Sequence, residues 1–344
     1  MGAFAPDAAE LRELMGRIVA RTTAIDFSWD WPGGVAYYGV CRAFEATGEE
    51  AWLAAAKAWV DEHVEFGLPP FSVNVVSVGH CLLSLYEATG EERYMEIASR
   101  KAAWVEREAR RFGERVLQHT VSANDDFPGQ AWADTLFMAA YFLLRMGVKT
   151  GNAAWVDDAL SQWHWHEELL QDRATNLFYH AWDQGSGSHL SGIFWARGNA
   201  WAAYTMARAL GLVNYMYPMF MAIDGCLRDQ LSALARLQTP EGLWRTVLDD
   251  PGSYCESSAS AGIAAAMALK GFPLHEKRIE LAYRGLLTKI DADGTVREVS
   301  GGTAVMSDAA AYKAVPRKRA QGWGQGLTLA FLSALFERDR RADR

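Results

Sequence analysis

Only four cysteines occur in the 344 residues, and no two of them stand in a Cys-x-x-Cys spacing. Cys41, Cys81, Cys226 and Cys255 lie in or beside apolar stretches. They read as reduced, buried thiols, which argues against a disulfide framework or a zinc site. Long apolar runs are missing too. None approaches the ~18 residues that a membrane span requires. The N-terminal stretch MGAFAPDAAELRELMGRIVARTT has no uninterrupted apolar core and no cleavage signal, so a cytoplasmic location is the default expectation. Positive charge is not in excess either: 34 Lys and Arg stand against 42 Asp and Glu, a formal net charge of -8. Without a basic stripe, nucleic acid is not expected as a partner.

What is present is apolar and aromatic. Hydrophobic residues make up 50% of the chain and Trp alone numbers 14, enough for a sizeable core and too much for wholesale disorder. An indole covers the flat C–H face of a sugar ring with little loss of entropy, so the tryptophans raise the expectation of a carbohydrate site. Many of them are equally suited to filling a helical core.

The length exceeds that of a typical single core, which implies either two domains or one repetitive architecture. Repetition is visible. The segment YYGVCRAFEATGEEAWLAAAKAWV from Tyr37 is echoed by CLLSLYEATGEERYMEIASRKAAWV from Cys81. A third copy, DTLFMAAYFLLRMGVKTGNAAWVDDALSQW, starts at Asp134. Each has an apolar helix, a Thr-Gly stop (Thr47-Gly48, Thr89-Gly90, Thr150-Gly151) and an amphipathic helix. Glycine suits the left-handed residue that ends a helix, and in the first two copies acids suit the next helix's first turn. Looser copies begin near Arg197, Ser258 and Gly324, at a period of roughly 40–65 residues. Helices apolar on every side must be buried, whereas one-sided helices face solvent. Six of the first kind alternating with about six of the second describe an all-α (α/α)6 barrel, with residues 1–344 as a single domain. An open helical solenoid has the same periodicity.

Unusual residues gather just before the inner helices, in SWDWPGG, QHTVSANDDFPGQAW, FYHAWDQGSGSHLSGIFWA, LWRTVLDDPGSYCE and VMSDAAAYKAVPRKRAQGW. If the inner helices run parallel, these loops share one rim and form a funnel. Asp134 opens the most apolar helix. As a plain helix cap it needs no further role. As a carboxyl desolvated by Trp132 and the apolar run behind it, it has the environment of a general acid. The helix N-terminus pulls its pKa the other way. His180, within Phe178-Tyr179-His180-Ala181-Trp182-Asp183, reads equally as a hydrogen-bonded structural group or as a site residue. Arg197, entering a buried helix in Trp195-Ala196-Arg197-Gly198-Asn199-Ala200-Trp201, needs an anion. A structural carboxylate and a substrate carboxylate both answer. Other signals fall away. His164 and His166, two apart on a helix, point in different directions and cannot chelate. GSGSHLSG lacks the Lys-Ser/Thr of a phosphate loop, and PRKRA reads as a solvated turn.

Together, these segments resemble glycoside hydrolase families 105 and 88, family 105 more closely. The likeness runs from WDWPGGVAYYG through Gln-Ala-Trp-Ala-Asp-Thr-Leu-Phe-Met, Phe-Tyr-His-Ala-Trp-Asp and Phe-Trp-Ala-Arg-Gly-Asn-Ala-Trp. It continues to LDDPGSYCESSASAGIA, Ala-Tyr-Lys-Ala-Val-Pro and Gly-Trp-Gly-Gln-Gly. The resemblance implies an (α/α)6 barrel that removes a 4-deoxy-4,5-unsaturated uronic acid from lyase-generated oligosaccharides, disaccharides above all. It implies Asp134 as general acid and base, no cofactor and no metal. By the same resemblance His119, Trp132, His180, Trp195, Arg197, Trp201 and Trp323 surround the sugar, with Tyr38 a weaker addition. One departure stands out. Relatives carry a second acid near the start of the second inner helix, where this chain has Ser72-Val73-Asn74-Val75-Val76; Asn74 can hydrogen-bond to a sugar but cannot titrate. An alternative keeps the toroid and makes the chain a sugar epimerase of the N-acylglucosamine 2-epimerase type, with His119 and His180 as acid and base. Nothing in the pattern sets an oligomeric state.

Overall fold

In the computed structural model, which describes residues 4–113, 115–124 and 126–342, helix follows helix in hairpins. Helix α1 (Ala8–Thr23) leads into α2 (Trp31–Thr47) and α3 (Glu50–Phe66). The second hairpin is split, with α4 (Val73–Val76) and α5 (Gly79–Thr89) preceding α6 (Glu92–Arg107). A π-helical segment, Leu136–Tyr141, runs into α7 (Phe142–Thr150) and is followed by α8 (Ala153–Leu170). Then come α9 (Ala196–Ala209), α10 (Phe220–Leu237), α11 (Ser257–Lys270), α12 (Glu276–Leu287), the short α13 (Ala309–Ala314) and the closing α14 (Gly322–Ala342). Strands are small: β1 (Arg111–Phe112) pairs with β2 (Val116–Leu117), and β3 (Gln130–Trp132) with β4 (Ala181–Asp183), both antiparallel.

The Thr-Gly stops work as their chemistry implies. Gly48, Gly90 and Gly151 take φ of 74°, 70° and 71° as left-handed caps. Each preceding threonine turns its hydroxyl back onto the carbonyl four residues earlier: Thr47 on Ala43, Thr89 on Leu85 and Thr150 on Met146.

Burial follows the two helix classes. In α11 the run from Ser257 to Ala268 is buried on every face. In α6 only Tyr94, Ile97, Ala98, Lys101, Ala102 and Val105 are buried, a single stripe at helical spacing. Helices α2, α5, α7 with its π segment, α9, α11 and α14 pack in that order, and α14 returns onto α2. Around them α3, α6, α8, α10, α12 and α1 pack mainly on α2, α5, α7, α9, α11 and α14 respectively, and α1, α3, α6 and α10 also reach the next inner helix. The ring is closed, so the chain is an (α/α)6 toroid and the open solenoid is excluded.

Closure depends on two backbones meeting. A Cβ on Gly39 of α2 would lie 2.5 Å from the Cα and carbonyl oxygen of Gly326 in α14, closer than atoms can approach. Gly39→Ala is therefore expected to force α2 and α14 apart and to cost about 1–3 kcal/mol or more. Urea unfolding of the two proteins checks this. Equal midpoints and equal slopes would mean that the seam yields without cost.

Candidate active site

Because the inner helices run parallel, their N-terminal ends share one rim, and a cavity of about 230 Å³ opens there. Trp31, the first residue of α2, and Asn74 of α4 form one wall. The long connection ahead of the third inner helix contributes His119, Val121, Phe127 and Trp132, then Asp134 and Met138. Trp195 and Arg197 enter from the start of α9, and Gly302, Thr303 and Ala304 from the loop before α13.

The β3–β4 ribbon sets the centre. Its register places Trp132 opposite Ala181, and the next step continues it, Ala133 N–H donating to the His180 carbonyl at 3.0 Å. Asp134 thereby comes against the His180 side chain, with Oδ2 3.3 Å from Nε2. Neither atom has a well-aligned hydrogen-bond partner among the described residues. Asp134 sits in the first helical turn just before the π segment, an irregularity often found at functional sites. On the other side of His180, Nδ1 lies 2.7 Å from the Tyr312 hydroxyl. His119 stacks flat on Trp132, centroids 4.5 Å apart, and its Nδ1 is 3.0 Å from the Thr135 hydroxyl.

Burial governs the charges. It pushes the Asp134 carboxyl up, but the neighbouring His180, then His119 and Arg197, pull harder and hold it below the ordinary carboxylate value. Burial depresses His180 and drives His119 down to about 4, against the opposing pull of Asp134 on each. Both imidazoles are neutral at pH 7.

Arg197 is buried, and its partners are the protein's own. Nη1 donates to the Ser300 hydroxyl at 2.7 Å and faces Glu256 Oε1 at 3.4 Å; Nη2 donates to the Gly301 carbonyl and the Thr303 hydroxyl, both at 2.9 Å. The guanidinium carbon lies 4.5 Å from the centre of the Trp195 ring and 5.2 Å from that of Trp323. Glu256 caps α11 and is itself inaccessible to solvent. The anion that a buried arginine demands is thus a structural glutamate.

Of the candidate site residues, His119, Trp132, Asp134, Trp195 and Arg197 line the cavity, as does Asn74 at the position where the chain departs from its relatives. His180 stands behind Asp134, and Trp323 behind Trp31, stacked on it at 4.2 Å. Tyr38 and Trp201 are placed differently: both are sealed in the core and neither lines the cavity. The reason is depth. Tyr38 lies seven residues into α2 from Trp31 and Trp201 four beyond Arg197, one to two turns below the rim. Tyr38 spends its hydroxyl on Tyr204 at 2.6 Å, and Trp201 packs on Phe137. Sequence reasoning missed Trp31, although its place between a capping Asp30 and Pro32 marks a helix start. It also missed Phe127, Thr303, Glu256 and Tyr312, which only the folded ring brings in. The second inner helix is pinned from outside: Lys101 of α6 donates to the Val75 carbonyl at 2.9 Å, next to Asn74.

The family model for Glycosyl Hydrolase Family 88 matches residues 12–340. The chain belongs to glycosyl hydrolase family 88. It is 53% identical over 336 residues to the unsaturated rhamnogalacturonyl hydrolase YesR of Bacillus subtilis, covering 97% of each chain. A crystal structure from Salmonella enterica, described as a possible member of the GH105 family, superposes with a TM-score of 0.92 at 25% identity, over 98% of this chain and 97% of that one. The unsaturated glucuronyl hydrolase of Bacillus sp. GL1 shares the fold with a TM-score of 0.74 at 17% identity, over 96% and 97% of the two chains. The chain is a glycoside hydrolase, and the epimerase reading is set aside. Among the described residues no group of three or more His, Cys, Asp or Glu could hold a metal, and no helix is long and apolar enough to cross a membrane.

Two outcomes follow from the charges. Arg197→Ala leaves Glu256 buried and uncompensated, an expected loss of about 3–5 kcal/mol in denaturant unfolding. A loss under ~1 kcal/mol would mean that water reaches the glutamate. The second concerns acid. Burial depresses His80, His119, His166 and His180, with His119 and His166 at about 4. An unfolded chain protonates them near pH 6.5, so their contribution is whole above that pH and is lost as pH falls toward 4. The Tm of a family-88 chain built this way should drop steadily from pH 6.5 to 4.5, and a flat profile would contradict the buried neutral histidines.

Proposed function

We propose that this family-88 hydrolase removes a 4-deoxy-4,5-unsaturated uronic acid from a lyase-generated disaccharide by hydrating its vinyl ether, with Asp134 as the proton donor. One observation carries the reading. Among the described residues, Asp134 is the one carboxylate that lines the cavity. Ordinary glycoside cleavage needs two flanking carboxyl groups, one to protonate the leaving oxygen and one to act as base or nucleophile. An enol ether needs a single acid, because protonation of carbon does the activating. Asp134 would deliver its proton to C4, leaving an oxocarbenium ion across C5 and the ring oxygen. Water adds at C5 and returns a proton to Asp134. The C5 hemiketal then opens by breaking its bond to the ring oxygen, and the resulting hemiacetal at C1 expels the aglycone.

The rest of the site suits this chemistry. The cavity is smaller than the ~300–1,000 Å³ of drug-sized sites, which favours one terminal sugar over a chain interior. Trp31, Trp132, Trp195 and Phe127 offer flat apolar faces, and Asn74 and His119 offer hydrogen bonds. Arg197, its guanidinium committed to Glu256 and the Ser300–Thr303 loop, would act on a uronate carboxylate as a fixed positive field. An anionic substrate there offsets the Arg197 charge that helps to hold Asp134 down, and water leaving the pocket strengthens the burial effect; both raise the carboxyl toward the protonated form. The relative's name points to a rhamnogalacturonyl disaccharide as substrate. Residues 1–344 would work as one catalytic domain, and a cytoplasmic place fits an enzyme of short, imported oligosaccharides.

The test is loss of vinyl-ether absorbance with unsaturated disaccharides of pectic, glycosaminoglycan and ulvan origin. The pectic disaccharide should be turned over, and Asp134→Asn should abolish turnover while the far-UV circular dichroism stays unchanged. A fall in kcat of less than ~100-fold would be too small for an essential general acid and would remove Asp134 from that role.

A further inference from the structure

The rim opposite the candidate active site gathers the C-terminal ends of the inner helices. Two cavities of about 320 and 300 Å³ open there, and Arg42, Arg208 and Leu212 line both. Glu337 adds a charge to the first, and Glu45, Glu87, Arg145 and Lys149 add theirs to the second. Four cations therefore face three carboxylates. Cations near helix C-termini offset the macrodipole, and ion pairs account for most of this cluster. Arg42 is paired with both Glu45 and Glu337. Arg145 donates to the His80 carbonyl and the Ser84 hydroxyl, each at 3.0 Å, and faces Glu87 at 3.5 Å. Lys149 shares Glu87 at 3.8 Å.

Arg208, half-buried in the last turn of α9, is different. Its Nε donates to the Tyr141 hydroxyl at 3.1 Å. Among the described residues no carboxylate lies within ion-pair distance of it, and neither Nη1 nor Nη2 has a hydrogen-bond partner. The Arg208 and Arg42 guanidiniums also repel each other. The nearby phenols register the excess. Burial lifts those of Tyr38 and Tyr204, which share a 2.6 Å hydrogen bond. At Tyr141 burial acts the same way, but the pull of Arg208 and then Arg145 outweighs it and brings the phenol below its ordinary value.

We propose that Arg208 anchors a binding site for a small oxyanion, a phosphate or phosphate ester, on the side of the barrel away from the active site. The two free Nη groups form a fork that matches two oxygens of such a group. Arg42 and Arg145 have their own donors engaged, so they contribute field rather than hydrogen bonds. The bound anion balances the one cation in excess and links α9 to α2 across the floor of the ring.

Phosphate stabilises most proteins at high concentration by exclusion from their surface, so the experiment has to separate that effect from a site. Urea midpoints are measured in inorganic phosphate and in glucose 6-phosphate, each against sodium chloride of equal ionic strength. Binding at the site makes the midpoint rise and then level off. Arg208→Gln should weaken that response about tenfold or more, with kcat and KM unchanged. Leu212→Glu sets a carboxylate beside Arg208 and should remove the response by supplying the missing charge; it decides the matter should Arg208→Gln not fold. A stronger response to glucose 6-phosphate would identify an ester as the ligand, and a stronger response to phosphate the free ion. The proposal is overturned if chloride does as much, if the rise never levels off, or if the variants respond like the wild type.

Discussion

A buried arginine and a buried glutamate organise this rim. Taking two charges out of water costs several kcal/mol for each unless geometry and further hydrogen bonds compensate. Arg197 and Glu256 meet that demand by recruiting Ser258, Ser300, Gly301 and Thr303 around them. The consequence is architectural. The start of α9, the cap of α11 and the loop from Ser300 to Thr303 come from distant parts of the chain, yet none can move without exposing an unpaired charge. Loops at the mouth of a helical barrel have little else to restrain them. Trp195 and Trp323, flanking the guanidinium, and Thr303, bonded to it, inherit that rigidity.

The same low-dielectric setting shapes the chemistry at Asp134. Its carboxyl lies between a burial effect that would keep it neutral and a set of nitrogens that favour the anion. The two histidines beside it are themselves neutral, because burial outweighs the carboxylate's pull on them. A site balanced in this way responds strongly to a bound anion, since one added negative charge and a few expelled waters act in the same direction. That sensitivity is a property of the pocket as a whole, and no single residue supplies it.

Much of this was legible in the sequence because short-range chemistry dictates it. Thr-Gly stops, acids after the first two, and helices that are charged on one face or none are local features, and local features read directly. The crowding of Trp, Asp and His into segments before the inner helices was enough to place a site at one rim. Depth was harder. Tyr38 and Trp201 stand in segments that look like site segments, but each extra helical turn lowers a side chain by about 5.4 Å, and these two fall into the core. Trp31 was passed over because its segment holds two tryptophans: Trp29 packs into the core on Trp59 while Trp31 lines the cavity, and the sequence does not tell them apart. Tyr312 and Glu256 carry no local mark of meeting His180 and Arg197, which lie 132 and 59 residues away along the chain.

The sequence by itself determined the alternation of buried and half-buried helices, where the first three inner helices stop, and which segments gather at the rim. These follow from periodicity and from the backbone preferences of glycine and threonine, which act within a few residues. Only the tertiary structure decided that the ring closes at Gly39 and Gly326, that Arg197 finds its anion in Glu256, and that His180 stands between Asp134 and Tyr312. Those outcomes depend on which surfaces meet after some three hundred residues have turned full circle, and contact at that range is set by packing.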